Sequence, residues 1–167
     1  YESELLIAEF QNKKVEEIID DGVFEFPLGT ERETIIKQRV NQNFFRSTIL
    51  SSYNVKCCIT GLSISDFLVA SHIVPWKKDE NNRLNPHNGL CLNSIHDRAF
   101  DKGFITITPD YKIKVSKYFD DLKKDEAVPD FFLKYENQSI ILPDRFLPSK
   151  EFLDWHYTNL FKKWLEH

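Results

Sequence analysis

His72, Asn88 and His96 fall within residues 70–103, a stretch that carries three of the five histidines, the sequence's Asn-Gly pair, and Asp97 and Asp101 four positions apart. An imidazole titrates near neutral pH and can serve as a proton acceptor, or as a metal ligand when neutral. A carboxamide donates and accepts hydrogen bonds at once, which suits it to pinning a loop. Brought together, the three side chains offer a base, an orienting amide and a metal ligand. Each also has an ordinary reading. His72 interrupts an apolar run, where a lone histidine is a core residue with a satisfied ring, and Asn88 precedes Gly89, where Asn is a turn former.

The local pattern predicts how these residues are held. Residues 67–76 read as an apolar strand broken by Ser71 and His72, and 77–86 (KKDENNRLNP) as a polar loop closed by proline. Asn88-Gly89 suits a tight turn and 90–92 a short strand. Asn93 or Ser94 can cap a helix running to Phe100 or beyond, with Gly103 placed to end it. A strand, turn, strand and helix in that order would fold His72, Asn88 and His96 toward one point.

The flanks read as scaffold. Residues 2–20 space Leu6, Phe10, Val15, Ile18 and Ile19 as an amphipathic helix, and 23–29 alternate briefly before Pro27 breaks the pattern. Thr30 and Glu33 have the form of a capping box opening a helix to about residue 52. Ile36, Val40 and Phe44 line one stripe of it, Phe45, Ile49 and Tyr53 adjoin, and Lys37, Arg39 and Arg46 lie elsewhere as a solvated or phosphate-contacting face. Residues 104–108 and 112–116 predict a hairpin across Pro109-Asp110-Tyr111, 120–130 are charged and irregular, and 138–142 suggest a strand. Ser149 can cap a final helix with Leu153, Leu160, Phe161 and Trp164 near one face.

At 167 residues the chain suits one domain with a real core, and 14 Phe, 6 Tyr and 3 Trp argue that it folds. The first residue is Tyr1 rather than Met and nothing near it has the pattern of a signal peptide, so 1–29 read as a helical extension that is also a possible fragment boundary. No apolar run approaches the roughly 18–20 residues of a membrane span, which predicts no membrane partner. Cys57, Cys58 and Cys91 are odd in number and lack disulfide spacing, which suits the cytoplasm. A net charge of −4 opposes bulk attraction to a polyanion, so any nucleic acid must be met by a local basic patch.

The ordered set His72, Asn88, His96 resembles the signature of the HNH endonucleases. The flanking segments CCITG, ASHIVPW, RLNPHNGLCL and HDRAFDKG resemble a subgroup of bacterial restriction endonucleases in which CxxTG precedes SHIxPW and FDxG closes the site. The resemblance runs from about residue 38 to 116. It implies an α+β fold, a ββα-metal hairpin and helix packed on flanking helices, with 30–116 as nuclease core and 117–167 completing the same domain. It also implies hydrolysis of double-stranded DNA, in restriction or defence, with one Mg²⁺ or Mn²⁺ per site. Carried over by position, His72 is the general base, Asn88 fixes the loop and the base, and His96 binds the metal.

One position departs from the commoner pattern: Ser71 stands where many members have a metal-binding Asp before the base. Asp97 and Asp101, at i and i+4 on a helix, could supply the missing carboxylate, or serve the helix terminus and local ion pairing instead. The cysteines lack the paired CxxC spacing of a structural zinc site, and adding His87 makes only a weak fourth ligand, so buried thiols are the better reading. Arg83, Arg98, Lys77, Lys78 and Lys102 surround the expected centre as candidate phosphate contacts. Trp76 reads as packing. A single-centre enzyme that cuts both strands makes a homodimer attractive. Two rival functions share the fold, a non-catalytic DNA-binding module and an RNA-cleaving toxin.

Overall fold

In the computed structural model, residues 30–164 are described apart from 80 and 123, with side chains from residue 41 onward and without that of Trp164. The predicted helix over 2–20, the 23–29 stretch and the side chains of Thr30, Glu33, Ile36, Lys37, Arg39 and Val40 lie outside the described residues. The chain divides into two units, 1–43 and 44–167, and the second carries every candidate site residue.

Helix α1 (Thr30–Ser52) carries its last turns into this second unit. Its buried stripe is Phe45, Ile49 and Tyr53, with Leu50 beside it, while Phe44 is exposed. The stripe thus falls one position later than the Phe44 phase. Arg46 belongs neither to a solvated face nor to a phosphate-contacting one: its guanidinium donates to the carbonyls of Leu68 (2.6 Å) and Ser65 (3.1 Å). It thereby pairs backbone acceptors at the entry to the first strand.

Strand β1 (Leu68–His72) pairs antiparallel with β2 (Gly89–Asn93), with Ser71 opposite Leu90 and His72 opposite Gly89. The ladder ends at His72 rather than at Trp76. Beyond Ile73, whose N–H still reaches the Asn88 carbonyl (3.0 Å), the Asn88 side chain takes both backbone groups of Val74, and Pro75 has no N–H to offer. Asn88 itself closes a single 3₁₀ turn, Pro86–Asn88, and β2 follows directly.

Helix α2 (Ser94–Asp101) starts at Asn93, whose Oδ1 accepts the N–H groups of Ile95 and His96. It stops at Gly103, which adopts φ +75°; a Cβ there would lie 2.5 Å from the Leu160 carbonyl oxygen, so only glycine admits the C-terminal segment.

The hairpin of β3 (Ile105–Ile107) and β4 (Ile113–Val115) forms as expected. Residues 138–142 contribute only a bridge between Lys112 and Ser139. A short helix, α3 (Ala127–Phe131), occupies part of the stretch expected to be irregular, with Pro129 in the first turn where a missing N–H is harmless. Helix α4 (Lys150–His156) runs into a π turn, Tyr157–Phe161, and Ser149 precedes it without a side-chain cap. Leu153 and Phe161 are buried and Leu160 partly so. The two hairpins, α1, α2 and α4 meet in one core built on Ile49, Leu90, Leu92, Phe100, Ile107 and Leu153. The fold is α+β. Among the described residues, no helix is long and apolar enough to cross a membrane.

Candidate active site

Strand alternation sends consecutive residues of β1 to opposite faces. His72 turns toward α1, where its ring stacks on Phe45 with centroids 3.9 Å apart and planes 9° from parallel, and Trp76 meets it edge-on at 5.5 Å. Nε2 lies 2.9 Å from the Arg83 carbonyl, an acceptor only, so Nε2 carries the proton when the ring is neutral. Nδ1 is then the lone-pair nitrogen, and it has no hydrogen-bond partner among the described residues. Burial lowers the pKa of His72, and the bond to Arg83 partly opposes that shift. A neutral imidazole with one open lone pair is what a general base near pH 7 requires.

Asn88 is 1% exposed, and its carboxamide closes the 73–88 loop. Oδ1 accepts the Val74 N–H (2.8 Å), while Nδ2 donates to the carbonyls of Val74 (3.1 Å) and Asn82 (3.3 Å). The loop is stitched further by Asp79, Asn82 and Asn85, each bonded to the next through side chains. The Arg83 side chain lies against Trp76, donating to its carbonyl (3.1 Å) with the guanidinium 5.1 Å from the ring centroid. Arg83 therefore orients the base through its carbonyl and braces the loop through its side chain.

Ser71 faces the other way, toward α2. Its Oγ is buried without a well-formed hydrogen bond, yet it faces Asp97 closely enough to pull that carboxyl's pKa down. Burial wins at Asp97 and raises its pKa against both Ser71 and Arg98. Asp101 is raised by burial and then by the charge of Asp97, with Arg98 and Lys102 opposing. Two neighbouring carboxyls with raised pKa values and a buried hydroxyl beside one of them fit a hard divalent cation, which takes one or two carboxylates and keeps waters for the remainder. Among the described residues, no three or more His, Cys, Asp or Glu side chains are gathered as a metal site, so any ion here rests on the two aspartates and Ser71.

His96 is placed differently from Asp97 and Asp101. Its ring is buried against Phe132 and Tyr135; Nε2 lies 2.8 Å from the Phe131 carbonyl and Nδ1 3.0 Å from Asn93 Oδ1. Both ring nitrogens meet oxygen atoms, of Asn93 and Phe131, so neither is turned toward Ser71 and Asp97. Burial, assisted by Lys134, lowers its pKa. His96 also borders a cleft of about 710 Å³ with Thr60, Phe131, Lys134 and Tyr135, which includes none of His72, Asn88, Asp97 and Asp101.

Lys77, Lys78, Arg98 and Lys102 are at least partly exposed. The three cysteines are buried free thiols; burial raises the Cys58 pKa and carries that of Cys91 to about 12. His87 turns away from them, its Nδ1 2.7 Å from the Leu147 carbonyl. Sequence reasoning passed over His156. It is 1% exposed, stacks on Phe100 at 3.6 Å, and bonds Thr106 Oγ1 (2.8 Å) and the Phe100 carbonyl (3.0 Å). It anchors α4 to the last turn of α2, and an isolated histidine in an amphipathic helix gives no signal of such a role.

Residues 57–108 match a family model described as HNH endonuclease. That span includes both strands of the first hairpin, α2 and β3. Among solved structures the chain is similar to one titled "Modification dependent TagI restriction endonuclease", with a TM-score of 0.51 and 17% identity over 70% of this chain and 37% of that one. At that identity the likeness is one of fold, and this chain spans little more than a third of its length. No curated protein matches the sequence. The β1, β2, α2 unit fits the ββα-metal arrangement.

Proposed function

We propose that the protein is a metal-dependent HNH endonuclease that hydrolyses phosphodiester bonds of double-stranded DNA in restriction or defence. The observation that carries this reading is the state of His72, a half-buried neutral imidazole whose Nε2–H is committed to a carbonyl and whose Nδ1 is open. It sits one residue from a buried hydroxyl that faces the Asp97 carboxyl, with Asp101 beside Asp97.

In this reading His72 Nδ1 takes the proton from the water that attacks phosphorus, leaving a 5′-phosphate and a 3′-hydroxyl. Asn88 keeps the 73–88 loop, and with it the Arg83 carbonyl, at the distance that holds the imidazole. Asp97 and Asp101, with Ser71, would hold one Mg²⁺ or Mn²⁺, which when bound supplies positive charge to the phosphate and the leaving oxygen. His96 supports α2 from its opposite side. Because Ser71 and His72 point to opposite faces of β1, the scissile phosphate must lie at the strand's C-terminal end, where both can reach it. Lys77, Lys78, Arg98 and Lys102 would meet flanking phosphates and give local positive charge despite the −4 total. Arg83, braced on Trp76, contributes through loop geometry.

The test is cleavage of a panel of duplex DNA, single-stranded DNA and RNA with Mg²⁺ or Mn²⁺, beside His72→Ala. Duplex cleavage by the wild type alone supports the reading. Equal cutting by both proteins removes His72 from the mechanism, and cutting of RNA alone replaces the substrate.

A further inference from the structure

Resting on the reading of His72 as the base, we propose that Phe45 is its positioning residue, setting the imidazole plane from α1 through the gap that Gly89 leaves in β2. His72 and Gly89 are directly paired across the hairpin. A side chain at Gly89 would occupy the space in front of α1, since a Cβ there would lie 2.9 Å from Phe45 Cζ and closer still to Ile49 Cδ1. Glycine leaves that space to Ile49 and, beside it, to the Phe45 ring, which is 2% exposed and lies nearly parallel to the imidazole.

A core phenylalanine needs only to be buried, and edge-to-face packing is as good as stacking for that purpose. Here the arrangement does more. The 9° stack forbids the imidazole to tip about its long axis, Trp76 at 89° blocks sliding within the plane, and the Nε2 bond to Arg83 fixes which nitrogen points outward. Three contacts from three segments, α1, the loop start and the loop end, leave Nδ1 one direction. A base misplaced by about 1 Å costs on the order of a hundredfold in rate.

The experiment compares Phe45→Leu, which keeps apolar bulk without a plane, with Leu50→Ala, which removes core volume from the same helix away from His72. Two readouts are taken on the full chain: imidazole ¹⁵N resonances of His72 at pH 8 without metal, and kcat and KM for duplex DNA with Mn²⁺. The expected result is that Phe45→Leu moves the His72 resonances off the Nε2–H pattern and lowers kcat tenfold or more with KM unchanged, and that Leu50→Ala alters neither. His72 resonances unchanged in Phe45→Leu, or an equal kcat loss in Leu50→Ala, would overturn the proposal. A wild type that cuts no nucleic acid overturns the nuclease reading instead, and the resonances still report whether Phe45 orients the ring.

Discussion

Replacing Asn88 by Ala should destabilise the protein by about 3 kcal/mol, through three lost hydrogen bonds rather than lost volume. The carboxamide pairs both the N–H and the carbonyl of Val74, and Val74 is 5% exposed, so water does not readily replace it. Each buried backbone group left unpaired costs about 1–3 kcal/mol, and two such groups set the estimate; the longer bond to Asn82 adds little. With a urea slope of about 1–3 kcal/mol/M, the midpoint should fall by about 1–3 M, read by tryptophan fluorescence, to which Trp76 of the same loop contributes. Asn88→Asp separates chemistry from shape. It keeps an acceptor for the Val74 N–H but turns a carboxylate oxygen toward two carbonyls. The introduced carboxyl should therefore titrate above its unfolded value of about 3.9. The folded variant then binds the extra proton in that window, so its deficit should shrink as pH falls toward about 4 and be largest at pH 7. An Asn88→Ala protein within about 0.5 kcal/mol of wild type, the range of an ordinary surface substitution, would refute the claim that this side chain holds the loop.

His156, held neutral with a pKa of about 4 against 6.5 unfolded, should make the fold acid-sensitive. The unfolded chain binds the proton first as pH drops from 6.5 toward 4, so about 3 kcal/mol is lost across that window. His72 and His96 shift in the same direction, and the difference between wild type and His156→Gln in urea midpoints at about pH 7.5 and 5 isolates the His156 share; identical slopes would contradict it. Gly89→Ala should cost about 1–3 kcal/mol by overpacking against Ile49 and Phe45, measured by thermal melting. Asp97→Asn should leave the metal-free melting temperature equal or higher, because burial and Asp101 both disfavour its charge. The same variant should lose the upward shift that millimolar Mn²⁺ gives wild type, and an undiminished shift would place the ion elsewhere.

The elements near the site were legible where a local residue dictates local geometry. Asn93 caps α2 because its short side chain reaches two free N–H groups, Gly103 ends it because φ is positive, and the β3–β4 hairpin alternates on both arms. What was not legible depends on partners distant in sequence. Arg46 reads as a surface cation until the carbonyls of Ser65 and Leu68 come within reach, and 138–142 read as a strand although only Ser139 finds a bridge. The phase of α1 differs by one residue from the expected stripe because Phe44 and Phe45 are equally apolar, and the choice between them depends on partners such as Gly89 and His72, distant in sequence. The direction of His96 is of the same kind: spacing puts it on α2, but Phe131, 35 residues later, determines what its ring meets.

Ser71 and the two aspartates of α2 are best understood as one arrangement. Position 71 is 2% exposed and faces Asp97, whose pKa burial already raises, while Asp101 is raised further by Asp97. A carboxylate at 71 would put a third negative charge into the least hydrated corner of that cluster. Like charges at such range depress one another's ionisation, so the added group would tend to hold a proton rather than present a ligand oxygen. A hydroxyl avoids this: it contributes an oxygen without charge and opposes the burial that raises the Asp97 pKa. Serine in the strand is therefore consistent with a site whose carboxylates have moved to the helix. Asp97 and Asp101 are four residues apart and share a helix face, and the Ser71 hydroxyl meets that face from β1.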